Sequence, residues 1–207
     1  MEEQLLLKAG EVSLEARLNL GTVAAGVVIT HPQPLYGGSM DNNVVWTAVR
    51  AFGDRGWSTL RFNFRGVGKS TGTYGEGLAE VGDIGHAVAY LASRVNGPCM
   101  LVGYSFGAWV AAYALYTGLK PAGAVLIAPP VAFMDMAFLP ETSGLSLIVA
   151  GDQDHLCPLA DINDLCHRHG PKVELRVVAG ADHFFGGREK ELYRILKDYP
   201  FPLISFS

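Results

Sequence analysis

The sequence is poor in the features that mark several large functional classes. Charged residues make up 17% of its 207 positions, with 16 Lys and Arg against 20 Asp and Glu, and no stripe or tail collects the cations. A nucleic-acid partner needs clustered basic residues and is therefore not expected. There are three cysteines, Cys99, Cys157 and Cys166, odd in number and without a pattern, which predicts free thiols in a reducing compartment rather than a disulfide framework. No apolar run reaches the roughly 18 residues of a membrane span. The acidic start, Met1-Glu2-Glu3-Gln4, is followed by only three leucines, too few for a signal-peptide core. No internal repeat, low-complexity tract or linker divides the chain. The expectation is one domain over residues 1–207, cytoplasmic, with no membrane partner.

What is abundant is apolar residues, at 49%, and glycine, at 25 positions where an average composition gives about 14. The glycines follow no period, so they serve turns or close approaches of backbone. Residues 5–8 and 12–18 alternate apolar with polar and predict an antiparallel hairpin. Six short, continuously apolar runs follow, at 26–30, 58–64, 99–103, 122–128, 145–150 and 173–178, alternating with helical patterns at 44–52, 81–95, 106–116, 159–169 and 189–197. Strands buried on both faces and separated by helices predict an α/β fold with a mostly parallel sheet covered on both sides. Sites in such sheets lie in the loops leaving the carboxyl ends of the strands. Thirteen of the glycines, from Gly37 to Gly187, fall in or beside those loops.

The loop after the run at 99–103 reads Gly103-Tyr104-Ser105-Phe106-Gly107. A serine between two glycines, placed between a strand and a helix, is the pattern of a nucleophile elbow, in which Ser105 stands exposed on a strained turn. A serine hydroxyl needs an imidazole to take its proton and a carboxylate to orient that imidazole, and in this fold both follow the serine in the chain. His31 and His86 precede it. His167 and His169 end a polar helical stretch, and His155 reads as incidental. His183, in the loop after the last apolar run, is the natural base. Gly151-Asp152-Gln153-Asp154 offers two acids: Asp154 lies farther into its loop, with more freedom to turn toward His183, and Asp152 suits a loop-bracing hydrogen bond.

Acyl transfer also needs two backbone N–H groups for the oxyanion. One belongs to Phe106. The other comes from the loop His31-Pro32-Gln33-Pro34-Leu35-Tyr36-Gly37-Gly38, where the two prolines have no N–H and leave Gln33 as the donor. Gly66-Val67-Gly68-Lys69-Ser70-Thr71 imitates a phosphate-binding loop, but Asn63 stands where that motif requires glycine.

Together these residues resemble the α/β-hydrolase superfamily. Phe64-Arg65-Gly66-Val67-Gly68-Lys69-Ser70-Thr71-Gly72 is similar to the F-R-G-x-G-x-S-x-G loop of that superfamily, and residues 151–158 resemble its G-x-x-D-x-x-V-P acid loop, with Cys157 in place of valine. The second likeness implies Asp154 as the acid. Residues 31–45 are similar to the H-P-H-P-L-x-G-G-x-M-x-N-x-V-V loop of short, lidless bacterial hydrolases related to the dienelactone-hydrolase and prolyl-oligopeptidase-like branches, with Gln33 where histidine is usual. A serine replaces the cysteine of true dienelactone hydrolases, so lactone chemistry is not implied.

The segment between Ala128 and Leu145 is too short for a cap and predicts one apolar helix around 131–138. An open site lined by Leu35, Tyr36, Phe133, Met134, Phe138 and Phe184 is expected. The expected activity is hydrolysis of small carboxylic esters by Ser105, His183 and Asp154 through an acyl-enzyme, with no metal or organic cofactor. Thioester or amide hydrolysis uses the same residues, and a binding scaffold without catalysis is the alternative of a different class. The apolar end, Tyr199 to Phe206, either folds back on the sheet or makes a contact between two copies of the chain.

Overall fold

The computed structural model describes residues 2–201. Strands β1 (Glu3–Ala9) and β2 (Val12–Asn19) form the expected hairpin. They are followed by β3 (Gly26–Thr30), α1 (Asn43–Gly53), β4 (Ser58–Phe62), α2 (Leu78–Arg94), β5 (Cys99–Tyr104), α3 (Phe106–Tyr116), β6 (Ala124–Ile127), β7 (Leu145–Gly151), α4 (Leu159–His169), β8 (Glu174–Val178) and α5 (Glu189–Asp198). The sheet order is β1-β2-β4-β3-β5-β6-β7-β8. The hairpin joins through an antiparallel β2–β4 pairing, and the remaining strands run parallel.

Alternation along the buried strands divides the core into two layers. Val28, Leu101, Ile148 and Ala150 face one way, into a layer closed by α2, α3 and α4. Val27, Ile29, Met100, Val102, Leu147 and Val149 face the other, against α1 and α5. Helix α3 is buried almost all round, and this explains why its sequence, Phe-Gly-Ala-Trp-Val-Ala-Ala-Tyr-Ala-Leu-Tyr, has no polar face.

Three expectations are corrected. The strand that begins at Ser58 ends at Phe62, because the Ser70 hydroxyl takes the Glu15 N–H and the Asn63 carbonyl that would pair next, and the Phe64 N–H goes to the His31 ring. Helix α2 begins three residues early, at Leu78, because the buried Glu80 carboxylate accepts the N–H groups of Gly75 and Gly77 and caps its first turn. The helix expected around 131–138 is a series of turns, with a single 3-10 turn at Leu139–Glu141. There the Asp135 carboxylate takes the Ala137 N–H, and the Asp135 carbonyl is taken by the Trp109 indole, so neither group serves a helical ladder.

At the C-terminal end, Phe201 is buried and stacks on Phe52, with Trp57 and Tyr199 beside it, so the tail does fold back as far as the described residues reach. Residues 202–206 of the expected contact lie outside them. Among the described residues no helix is long and apolar enough to cross a membrane.

Candidate active site

Ser105 sits at the β5–α3 junction with φ 54° and ψ −120°, a conformation that L-residues rarely adopt. Surrounding packing holds it there. The Ser105 N–H donates to Ile127 O, and the flanking glycines leave no room for a methyl group: a Cβ on Gly103 would lie 2.4 Å from Gly107 O, and one on Gly107 would lie 2.7 Å from His31 O. The spacing of the motif is therefore a packing requirement at this crossing of backbones.

The turn aims the Ser105 hydroxyl at the loop after β8. Oγ lies 2.8 Å from His183 Nε2, and His183 Nδ1 lies 2.8 Å from Asp154 Oδ2. All three side chains are nearly buried, which corrects the expectation that Ser105 stands exposed. Asp154 is itself fixed, since its other oxygen accepts the N–H groups of Leu156 and Cys157. His183 is held through its main chain, whose carbonyl accepts the buried Tyr104 hydroxyl at 3.0 Å. Burial pushes the Tyr104 hydroxyl pKa up, so it remains a donor. Asp152 accepts the Gly180 N–H and braces the two loops against each other. His155 and Asp182 take no part in this chain of bonds, Asp182 capping the Phe184 N–H instead.

On the opposite side, the loop after β3 closes over the serine. Its far end is anchored at Met40, whose N–H goes to Asn63 and whose carbonyl accepts from Arg61, a nearly buried guanidinium paired with Glu2 and Asp41. The Gln33 side chain donates to the Tyr74 hydroxyl. Among the described residues, the N–H groups of Gln33 and Phe106 have no protein acceptor. Gln33 lines the same cleft as Ser105 and His183.

The cleft has a volume of about 250 Å³, and the expected lining residues divide. Tyr36 and Phe184 form its walls, together with Pro32, Asn42, Tyr104 and Leu156. Leu35 and Phe133 do not line it, and both side chains lie exposed elsewhere on the surface. Met134 packs on the α2–α4 layer, and Phe138 is drawn away into a cluster with Trp109, Tyr113 and Tyr116. Without the expected helix the segment 131–138 turns Phe138 onto α3 and leaves Phe133 at the surface. Tyr104, Asn42 and Leu156 were not singled out from sequence. Tyr104 is visible there only as the variable position of the Gly-Tyr-Ser motif, because its partner is 79 residues away.

Ser70, in the stretch that imitates a phosphate loop, donates to Asn63 O and accepts the Glu15 N–H, so its hydroxyl is committed to structure. The thiols of Cys99 and Cys157 are buried and pushed up in pKa by desolvation, that of Cys99 to about 11, which leaves them protonated. Among the described residues no three His, Cys, Asp or Glu side chains converge in a way that could hold a metal ion.

His31 gives a testable pH dependence. Burial lowers its pKa from 6.5 to about 4, only partly opposed by its bond to Pro32 O. Between those values the unfolded chain takes a proton that the folded chain refuses. Stability is therefore full above pH 6.5 and falls as pH drops toward 4, by up to about 3 kcal/mol. Urea midpoints measured at each pH check this, with a flatter curve expected for His31→Asn.

The chain is similar to known proteins over most of its length. The alpha/beta hydrolase family model matches residues 27–158. An uncharacterized protein of Rickettsia prowazekii is 33% identical over 95% of this chain and 87% of its own length. A serine hydrolase homologue from Coxiella burnetii superposes with a TM-score of 0.88 at 36% identity, covering 95% of this chain and 96% of the other. A Xanthomonas campestris protein described as an α/β serine hydrolase without a lid gives a TM-score of 0.87 at 27% identity, over 95% and 92%. With the elbow, the sheet order and the family match in agreement, the chain belongs to the alpha/beta hydrolase family.

Proposed function

We propose that this hydrolase cleaves small, neutral carboxylic esters through an acyl-enzyme on Ser105. The observation that carries the reading is the unbroken line of short contacts from Ser105 Oγ through the His183 ring to Asp154 Oδ2. With Asp154 ionised, His183 donates from Nδ1 and is left with Nε2 free to accept the serine proton. Oγ then attacks the acyl carbon, the proton passes to Nε2, and the carbonyl oxygen becomes an oxyanion held by the N–H groups of Gln33 and Phe106. Collapse expels the alcohol, which leaves with the proton from His183. Water, deprotonated by the same nitrogen, attacks the acyl-enzyme and releases the acid.

The walls of the cleft support esters over coenzyme A thioesters. They consist of aromatic, aliphatic and amide groups with the glycines of the β3 loop, which offer no cation to the phosphates of a nucleotide handle. The small volume supports short acyl groups. A series of nitrophenyl esters of increasing acyl length, acyl-CoA thioesters and aminoacyl amides tests this. The highest kcat/KM is expected on short esters, and failure to turn over any ester overturns the proposal.

The backbone donor can be tested alone. Gln33 has φ −51°, within the range that proline adopts, so Gln33→Pro deletes the N–H with little change of path. The expected loss in kcat is about 100-fold to 1,000-fold, as for other oxyanion donors. Gln33→Ala keeps the N–H and is expected to stay within about threefold of the parent. Equal activity of the two variants would remove Gln33 from the mechanism.

A further inference from the structure

His31, set aside as a base because it precedes Ser105 in the chain, is fully buried and makes two hydrogen bonds that converge on the loop bearing Gln33. Nε2 lies 2.9 Å from the Phe64 N–H and must accept; Nδ1 lies 2.7 Å from Pro32 O and must donate. The two partners fix the tautomer. They also fix the geometry, because Phe64 follows β4 and Pro32 follows the neighbouring strand β3, and the ring bridges the two ends.

We infer that His31 is a positioning residue, which holds the Pro32–Gln33 peptide so that the Gln33 N–H faces the cleft. This rests on the reading of that N–H as an oxyanion donor. All peptide bonds among the described residues are trans, so the carbonyl and the N–H of one peptide point in opposite directions. By holding the Pro32 carbonyl on the buried side, the imidazole directs the Gln33 N–H to the side where Gln33 meets Ser105 and His183. The next peptide is held separately, the Gln33 carbonyl accepting from Tyr36 and Gly38. The ring also relates this donor to the other one. His31 packs edge-on to Phe64 at 4.8 Å, and Phe64 packs edge-on to Phe106, whose N–H is the second donor, at 5.7 Å.

Removing the imidazole frees the peptide to rotate, which weakens an interaction formed in the transition state and leaves substrate binding largely intact. His31→Phe keeps the ring packing and loses both hydrogen bonds. It is expected to lower kcat on a short nitrophenyl ester by about 30-fold to 100-fold with KM within about twofold, and to leave the acid limb of the pH–rate profile in place. His31→Asn, whose amide nitrogen takes the place of Nδ1, is expected to recover most of that loss and also serves if the phenylalanine variant does not fold. In a Gln33→Pro background neither substitution should cost anything further, because the donor it aims is gone.

Wild-type kcat in folded His31→Phe, a loss of the same size in both backgrounds, or a loss appearing mainly in KM would each overturn the inference while leaving the ester-hydrolase reading intact. A wild-type chain inert toward esters would instead overturn that reading.

Discussion

Ser105→Ala is expected to lower kcat on a nitrophenyl ester by about 100,000-fold or more, with unfolding temperature changed by only a few degrees. The size follows from the role: with the hydroxyl gone no acyl-enzyme can form, and what survives is the contribution of the oxyanion donors and binding to direct attack by water. Stability is expected to survive because the hydroxyl's described hydrogen bond is the one to His183, while the turn itself is held by the Ser105 N–H to Ile127 O and by the packing at Gly103 and Gly107. A companion variant separates function from strain. Ser105→Gly also removes the nucleophile, but glycine adopts φ 54° and ψ −120° without penalty, so it should unfold at a higher temperature than Ser105→Ala. The reverse order would show that the strain at this turn has been misjudged.

Asp154→Asn should cost about 10,000-fold in kcat, and the structure specifies how. One carboxylate oxygen accepts the N–H groups of Leu156 and Cys157, a demand only an oxygen can meet. The amide of asparagine must therefore keep its oxygen there and turn its NH₂ toward His183 Nδ1. That nitrogen then has to accept, its proton moves to Nε2, and Nε2–H confronts the serine hydroxyl with a donor where a base is needed. The fold is preserved while the tautomer is inverted. Asp152→Asn, whose Oδ1 accepts the Gly180 N–H, is expected to cost less than about tenfold, since it touches neither ring nor serine. Comparable losses in the two variants, read by steady-state kinetics on one ester, would contradict the assignment of the acid.

Much of this was legible in the sequence wherever a local rule coincided with the tertiary need. The buried strands announce themselves as Val- and Ile-rich runs, and β3, α3 and α4 have the bounds the pattern predicts. Ser105 and its glycines were legible because the elbow needs small residues at fixed offsets. Asp154 and His183 were legible because each occupies the loop after a strand, and strand order brings such loops to one end of the sheet. The segment 131–138 misled because Met136 and Phe138 are apolar to pack on the core and on α3 from a series of turns, and composition alone does not distinguish that from a helix's apolar face. The expected lining residues Met134 and Phe138 went wrong with it. His31 and Tyr104 were missed for another reason: they act through backbone carbonyls and N–H groups, which leave no trace in residue identity. Their roles depend on which peptide passes within 3 Å, and only the folded chain determines that.

The reaction of Ser105 itself is most directly examined by treating the folded protein with a fluorophosphonate and locating the adduct by intact-protein and peptide mass spectrometry. One phosphonyl group is expected per chain, on the peptide containing Ser105, with no adduct on Ser105→Ala. An unlabelled wild-type chain, or an adduct that persists in Ser105→Ala, would contradict a serine nucleophile at this site.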